Sequence, residues 1–220
     1  MTPESQTCQY LTQPEIRFLD AAVERLIPTD DLGPGAKDSG VTFFIDQQLV
    51  SVWGSHGRNY RAGPWPEGTS QQGFQSRLTP REIYRAAIRE VNVHCLKQYR
   101  KAFELLAPHE QDEVLNGLQS GAIELASVSS KLFFGLLLRN TMEGFFADPM
   151  YGGNRDKAGW KLIGFPGVPA SNYNDLIDEH NVPYRVEPVS ILDVVHGRVK
   201  LDSQGLPTHV RLKDEGRNGR

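Results

Sequence analysis

The sequence predicts an all-α protein: one helical domain of about five to six helices, joined by long loops rich in aromatic residues, glycine and proline, with an extended C-terminal tail in which short strands can form. Three observations predict this class. Apolar residues recur at helical spacing in several stretches, helix-capping signals precede those stretches, and β-prone residues concentrate after Pro183.

The helices divide the chain into three parts: an irregular segment at residues 1–13, a helical domain at 14–182 and an extended tail at 183–220. The charged, glycine-rich end at residues 213–220 is predicted to be disordered. Helices are predicted at residues 14–27, 41–53, 80–106, 108–121, 131–147 and 171–178. Their predicted N-caps are Thr12, Asp38 or Ser39, Thr79, Ser129 or Ser130, and Ser171.

Composition excludes several classes of protein. The net charge is −3 and the pI is near 6.1, whereas a nucleic-acid-binding domain normally carries a basic surplus. No apolar run reaches the length of about 18 residues that a membrane span needs. The first residues show neither the basic nor the apolar region of a signal peptide. Cys8 and Cys95 are either one disulfide or two free thiols, and two cysteines without a CxxC spacing are too few for a structural zinc site.

Two loops are longer, and richer in glycine, proline and aromatic residues, than simple connections between helices need to be. Residues 54–75 contain many glycines and prolines with Tyr60, Trp65 and Phe74 between them. The stretch at 140–167 begins as a helix, stops at Asp148–Pro149 and continues through Gly152–Gly153 with Trp160 and Phe165. Because the paired glycines can take positive φ angles, we expect a tight backbone path there, and we expect the aromatic rings to be buried.

The residues give no catalytic site by spacing. GxGxxG, P-loop, HExxH and GxSxG patterns are absent, and His94 cannot face its helical neighbour Cys95. Glu143, Asp148 and Asp156 could act as acid and base, but capping and local ion pairing are the commoner uses of such residues. Asp156 is predicted to pair with Arg155 and to order the loop. The pattern favours a subunit that adheres to a larger partner.

Two stretches closely resemble the gluconate 2-dehydrogenase subunit 3 family. The first signature comprises residues 22–36, with Gly40–Val41 and residues 44–49, and the second comprises residues 143–167 from Glu143–Gly144–Phe145 to Gly164–Phe165–Pro166–Gly167. Residues 63–66 and 75–78 resemble the segment that links the two signatures. The resemblance covers residues 14–185 approximately.

This resemblance implies a non-catalytic accessory subunit without a cofactor of its own. In such complexes a large FAD-containing subunit oxidises a sugar acid, for example gluconate to 2-dehydrogluconate, and a multihaem cytochrome c subunit accepts the electrons. The small subunit typically carries a twin-arginine signal and escorts the folded flavin subunit to the periplasmic face of the inner membrane. This chain begins without a twin arginine, so either a signal lies upstream or this member is not exported. Export would favour a Cys8–Cys95 disulfide.

On this interpretation the loops supply the contacts with the partner. The interface candidates are Tyr60, Trp65, Phe74, Tyr151, Asn154, Arg155, Asp156, Trp160 and Phe165. The alternative is a stand-alone ligand-binding protein or enzyme that uses residues 148–167, with a pocket beneath Trp160 and Arg155 and Asp156 as its polar groups. A cleft that joins these three residues would favour the alternative.

Overall fold

The structure is a computed structural model that describes residues 7–55, 63–65, 69, 76–168, 185–210 and 212. These residues contain seven α-helices. The helices are α1 (Gln13–Leu26), α2 (Val41–Val50), α3 (Pro80–Tyr99), α4 (Pro108–Ser120), α5 (Ser130–Phe146), α6 (Ala158–Ile163) and α7 (Ile191–Val195). The all-α prediction is confirmed. The predicted helix at 171–178, the predicted disorder at 213–220, and Tyr60 and Phe74 lie outside the described residues.

Helix α5 is the central element, because α1, α2, α3, α4 and α6 all pack against it. Its N-terminus is capped by Ser129, whose hydroxyl accepts a hydrogen bond from the Leu132 amide. At the centre of the core, Phe133 contacts the rings of Phe18 and Tyr84, with centroids 6.5 and 5.6 Å apart. These rings are fully buried, so the core is built on the inner face of α5.

Two predicted helices are too long. Helix α3 ends at Tyr99 rather than at residue 106, because Arg100 takes a left-handed conformation with φ 61°. The chain then makes a short 3₁₀ turn at Phe103–Leu105, and the Phe103 amide donates to the side chain of Asn92 at 3.0 Å. Helix α2 ends at Val50 rather than at residue 53, where Ser51 accepts a hydrogen bond from the Trp53 amide at 3.1 Å. Its N-cap is Gly40, with φ 78°, rather than Asp38 or Ser39.

The strands expected after Pro183 do not form in the described residues, which hold only isolated bridges such as Gly167 with Val189. β-prone Ile191, Val194 and Val195 instead belong to helix α7. The reason is local, since the Ser190 hydroxyl accepts from the Asp193 amide at 3.1 Å and the Asp193 carboxylate accepts from the Ser190 amide at 3.0 Å. A capping box therefore outweighs the strand propensity of these residues.

The irregular segment before α1 is held by a buried carboxylate. Asp46 on α2 is fully buried and accepts hydrogen bonds from the main-chain amides of Gln9, Tyr10 and Leu11 at 2.7, 3.0 and 2.8 Å. These three amides belong to no helix or strand, so the carboxylate supplies the acceptor that secondary structure would otherwise provide. It therefore fixes the path by which the N-terminal segment enters the domain.

The two cysteines are free thiols in the structure, so the Cys8–Cys95 disulfide is not formed. Cys95 belongs to the core on α3, whereas Cys8 is partly buried near the Asp46 carboxylate. Burial, reinforced by nearby carboxylates, raises the pKa of each thiol to about 11. Both thiols are therefore protonated at neutral pH and unreactive in this state.

Removing the Asp46 carboxylate tests the anchoring of the N-terminal segment. We expect Asp46→Ala to lower the free energy of unfolding by about 3 kcal/mol, because three amide donors lose a charged acceptor. Amide hydrogen exchange at Gln9, Tyr10 and Leu11 should accelerate, as followed by mass spectrometry. The exposed carboxylate Asp31 provides the control, since Asp31→Ala should change neither quantity. Unchanged exchange in Asp46→Ala would contradict the anchoring.

Candidate functional site

The second signature leaves α5 through a capped turn. As predicted, the helix stops before Pro149, at Phe146. Asp148 accepts a hydrogen bond from the Met150 amide at 2.9 Å and caps a 3₁₀ turn at Pro149–Tyr151. Gly152 follows with φ 99° and makes the tight turn, whereas Gly153 is not among the residues with positive φ. Residues 148–167 are called the signature loop below.

Glycines let the signature loop lie directly on the last turns of α5. A Cβ atom on Gly153 would overlap the carbonyl oxygen of Gly144, and one on Gly159 would overlap that of Phe145. Gly144 itself faces the next layer, where a Cβ atom would lie 2.7 Å from the ring of Phe44 on α2. Main chain therefore packs on main chain at this point, and the glycines serve packing rather than phosphate binding.

Asn154 links the C-terminal end of α5 to the signature loop that packs on it. It is fully buried, donates from Nδ2 to the Ala147 carbonyl at 2.8 Å and accepts at Oδ1 from the Gly159 amide at 2.8 Å. Its φ is 48°, and Asp156 and Lys157 follow with φ of 55° and 59°. Three left-handed non-glycine residues in four are costly, and the surrounding hydrogen bonds hold them in place.

Arg155 connects the signature loop to the first signature instead of pairing with Asp156. Its amide donates to the Ser39 carbonyl at 2.9 Å, and its guanidinium donates to the Asp38 carbonyl at 3.3 Å. The Arg155–Asp156 ion pair predicted from sequence is not among those of the described residues, and Asp156 is exposed. The left-handed turn at Asp156 accompanies this separation of the two side chains.

Trp160 is a core residue of this chain rather than a surface anchor. Its indole is 5 % exposed, donates from Nε1 to the Phe146 carbonyl at 2.7 Å and meets the Phe165 ring edge-on at 5.2 Å. Its ring also lies under Gly167, where a Cβ atom would come within 2.9 Å. Phe165, by contrast, keeps 41 % of its surface exposed. The tryptophan therefore fastens the signature loop to α5.

The tail returns to the signature loop and binds it in two ways. The main chain pairs where the Val168 amide donates to the Val189 carbonyl at 2.8 Å, and the Ile191 amide donates to Asp148 at 2.8 Å. Ion pairs reinforce this contact. They join Lys157 to Asp193 at 3.0 Å, Lys157 to Glu187 at 3.7 Å and Lys161 to Glu187 at 3.1 Å, and within the tail Arg198 pairs with Asp193 at 3.2 Å. We call this contact the tail clasp.

The structure divides the predicted interface residues into two groups. Asn154 and Trp160 are buried inside the chain, so their side chains present almost no surface to a partner. Tyr151, Arg155, Asp156 and Phe165 are exposed on the signature loop. Trp65 is partly buried, with the Arg77 guanidinium 5.2 Å from its ring centroid, and Tyr60 and Phe74 lie outside the described residues.

An apolar surface that the sequence did not single out lies between the two signatures. Leu32 in the first signature is 71 % exposed, and Leu162 and Ile163 on α6 are 46 % and 60 % exposed. Leu32 and Leu162 line one hollow of about 170 Å³, together with Phe145 and Ala158. A six-residue helix is too short to reveal its outer face by periodicity, although a leucine in the polar run Asp-Asp-Leu-Gly is a visible signal. We call Leu32, Leu162 and Ile163 the inter-signature patch.

The carboxylates do not converge on a catalytic pair. Asp148 is occupied by the amides of Met150 and Ile191, and Asp156 is exposed. Within the described ranges, no group of three or more His, Cys, Asp or Glu residues is placed to hold a metal ion. The contacts of Trp160 with Phe146 and of Arg155 with Asp38 point to different parts of the chain. The polar cleft that the alternative interpretation required beneath Trp160 is therefore not supported.

Adding one methyl group tests the close packing of the signature loop. We expect Gly153→Ala and Gly159→Ala each to lower the free energy of unfolding by about 2–3 kcal/mol, because the new Cβ collides with a rigid carbonyl. Gly135 on the exposed face of α5 is the matched control, with no atom near its Cβ position. Gly135→Ala should leave stability unchanged or raise it by up to about 1 kcal/mol. Urea denaturation measures the free energy of unfolding of the three variants, and equal values would refute the packing argument.

The tail clasp should weaken in acid. Burial opposes ionisation of Asp193, but hydrogen bonds from Ser190 and Lys157 outweigh it and lower the pKa of Asp193. A lowered pKa in the folded state stabilises the protein above the unfolded pKa, and this stability is lost as pH falls through the folded value. We expect faster amide exchange at Val168 and Val189 below about pH 4, after correction for the intrinsic rate.

Asp193→Asn should show the same faster exchange already at neutral pH, because the asparagine imitates the protonated acid. Asp156→Asn, which changes an exposed carboxylate of the same loop, is the control and should match the wild type. Equal exchange in both variants at neutral pH would show that Asp193 does not hold the tail.

Comparison with known proteins agrees with this geometry. The family model described as gluconate 2-dehydrogenase subunit 3 matches residues 13–167, which run from the first residue of α1 to the end of the signature loop. Neither a curated protein nor a solved structure shows significant similarity to the chain. The match covers more than half of the sequence and contains both signatures, the core around α5 and the contact between them. The chain therefore belongs to the gluconate 2-dehydrogenase subunit 3 family.

Proposed function

We propose that this chain is the non-catalytic small subunit of a flavin-dependent gluconate 2-dehydrogenase-type complex. Its role is to stabilise the FAD-containing large subunit, or to escort it during export. In that complex the large subunit oxidises gluconate to 2-dehydrogluconate, and a multihaem cytochrome c subunit accepts the electrons. FAD and haem belong to the partners, and this chain contributes binding surface.

Family membership is the observation that carries the proposal. The geometry of the second signature supports it, because the residues that first suggested an active site serve to hold a loop. Asn154 and Trp160 donate hydrogen bonds to main-chain carbonyls of the same chain at 2.8 and 2.7 Å. A loop fixed in this way loses little conformational freedom when it binds, so more of the contact energy is available for affinity.

The inter-signature patch supplies the surface that such a partner needs. Leu32, Leu162 and Ile163 expose between 46 % and 71 % of their surface. Large apolar side chains that cluster at the surface are typical of interaction sites. Both family signatures contribute to this patch, so the part of the chain that defines the family is also the part that offers the contact.

A location at the periplasmic face of the inner membrane is part of the same proposal. Among the described residues, no helix is long and apolar enough to cross a bilayer. On our proposal the chain reaches the membrane through the complex. A flavoprotein folds around its cofactor before translocation, which is why a folded escort subunit suits this route.

Co-expression with the FAD-containing large subunit of a gluconate 2-dehydrogenase tests the proposal. We expect an equimolar complex that elutes as one species in size-exclusion chromatography and retains FAD. Leu162→Glu and Ile163→Glu should weaken the complex about tenfold or more, because each places a charge in an apolar contact.

Leu96→Glu provides the matched control. Leu96 on α3 is 50 % exposed, close to the value for Leu162, but it lies outside both signatures. This variant should bind like the wild type. Separate elution of the wild-type chain and the flavin subunit would refute the proposed function, whereas normal binding by both patch variants would refute only this choice of surface.

A further inference from the structure

A groove between α2 and the C-terminal end of α5 combines apolar walls with one charged group. It has a volume of about 610 Å³, and Phe44, Trp53, Phe146 and Tyr151 form its aromatic lining. Asn140 and Glu143, which lie one helical turn apart on α5, contribute its polar side. We call this feature the α2–α5 groove.

Two buried side chains, Tyr84 and Asn140, form a hydrogen-bond relay that ends on the exposed carboxylate of Glu143. Glu143 can only accept when it is ionised, so the Asn140 amide nitrogen must face it, and Nδ2 lies 3.0 Å from Oε2 of Glu143. Asn140 Oδ1 then faces the core and accepts from the Tyr84 hydroxyl at 2.7 Å. Burial raises the pKa of Tyr84, so its hydroxyl stays protonated and remains a donor. Asn140 and Tyr84 are 2 % and 0 % exposed, so the amide that donates to Glu143 is held from within the core.

The carboxylate has no cationic partner within the described part of the chain. None of the ion pairs there includes Glu143, and its Oε1 atom takes part in none of the hydrogen bonds there. Arg139, at the i−4 position on the same helix, is exposed and does not pair with it. A negative charge is therefore held at the side of an apolar groove, with one oxygen available.

This arrangement is complementary to an arginine side chain. The aliphatic part of arginine packs along apolar walls, and its guanidinium pairs with a carboxylate and stacks on aromatic rings. We propose that the α2–α5 groove receives an arginine of the FAD-containing partner subunit, whose guanidinium pairs with Glu143. This inference rests on the proposed function, and it names a contact that is separate from the inter-signature patch.

Binding of the purified flavin subunit to variants of this chain tests the inference. Glu143→Gln keeps an acceptor for Asn140 but removes the charge, and Glu143→Lys reverses it. We expect the dissociation constant to rise about tenfold for Glu143→Gln and about a hundredfold for Glu143→Lys, as measured by biolayer interferometry. The difference between the wild type and Glu143→Gln should shrink in roughly 0.5 M NaCl, because salt screens the lost attraction.

Glu113→Gln is the matched control. Glu113 lies on the exposed face of α4 and, like Glu143, accepts a hydrogen bond from a neighbouring side chain, here the Tyr99 hydroxyl at 3.2 Å. The Glu113→Gln variant should bind the flavin subunit like the wild type. A second variant, Gln48→Arg, places a guanidinium inside the same groove from α2. It should weaken binding of the partner without lowering the melting temperature, because it occupies Glu143 from within the chain.

The outcomes separate the inference from the function on which it rests. If the wild type binds the flavin subunit and both Glu143 variants bind equally well, the inference is wrong and the proposed function stands. If the wild type does not bind at all, the proposed function fails. If free L-arginine binds the isolated chain in a Glu143-dependent way while partner binding ignores Glu143, the groove is a small-ligand site and the inference is overturned.

Discussion

The fold depends on one close approach, in which the main chain of the signature loop lies on the last turns of α5. Gly153 and Gly159 meet the carbonyls of Gly144 and Phe145 where no Cβ atom fits. Asn154 then bridges Ala147 and Gly159, and Trp160 hydrogen-bonds to Phe146. Each of these contacts requires the separation that the glycines allow. A single methyl group at the contact would therefore disturb the loop, the tryptophan and the docking of the tail together.

This constraint explains why a segment that looks catalytic in sequence is structural. A glycine pair, an amide, a guanidinium and a carboxylate in succession are common in active sites, where the side chains converge on a substrate. Here successive left-handed residues send them in different directions. Asn154 points inward, Arg155 reaches the carbonyl of Asp38, and Asp156 faces solvent. The result is a pre-formed surface, which suits the partner-binding role that we propose.

The sequence predicted those parts of the structure that local chemistry determines. Capping signals at Thr79 and at Ser129 or Ser130 placed the starts of α3 and α5 to within a residue, and the fold class followed from the periodicity. Prediction from the sequence failed where a distant contact, or a backbone angle that no residue type signals, determines where a helix begins or ends. Nothing in the sequence announces the left-handed Arg100 that ends α3, and α6 begins after left-handed Lys157 without a capping side chain. In the candidate site, the sequence identified the signature loop but could not tell inward-facing Asn154 and Trp160 from outward-facing Tyr151 and Phe165, because residues of both kinds occur in one irregular run.

The structure also shows how residues beyond the family match contact the matched part of the chain. The family match ends at Gly167, and the residues beyond it contact the loop through main-chain hydrogen bonds and through ion pairs of Glu187 and Asp193 with Lys157 and Lys161. Partly exposed ion pairs contribute little each and weaken with salt, so the tail is held less firmly than the glycine contact beneath it. The tail clasp covers one side of α6 through Lys157 and Lys161, while Leu162 and Ile163 remain exposed. The tail can therefore stabilise the signature loop without competing for the surface that we assign to the partner.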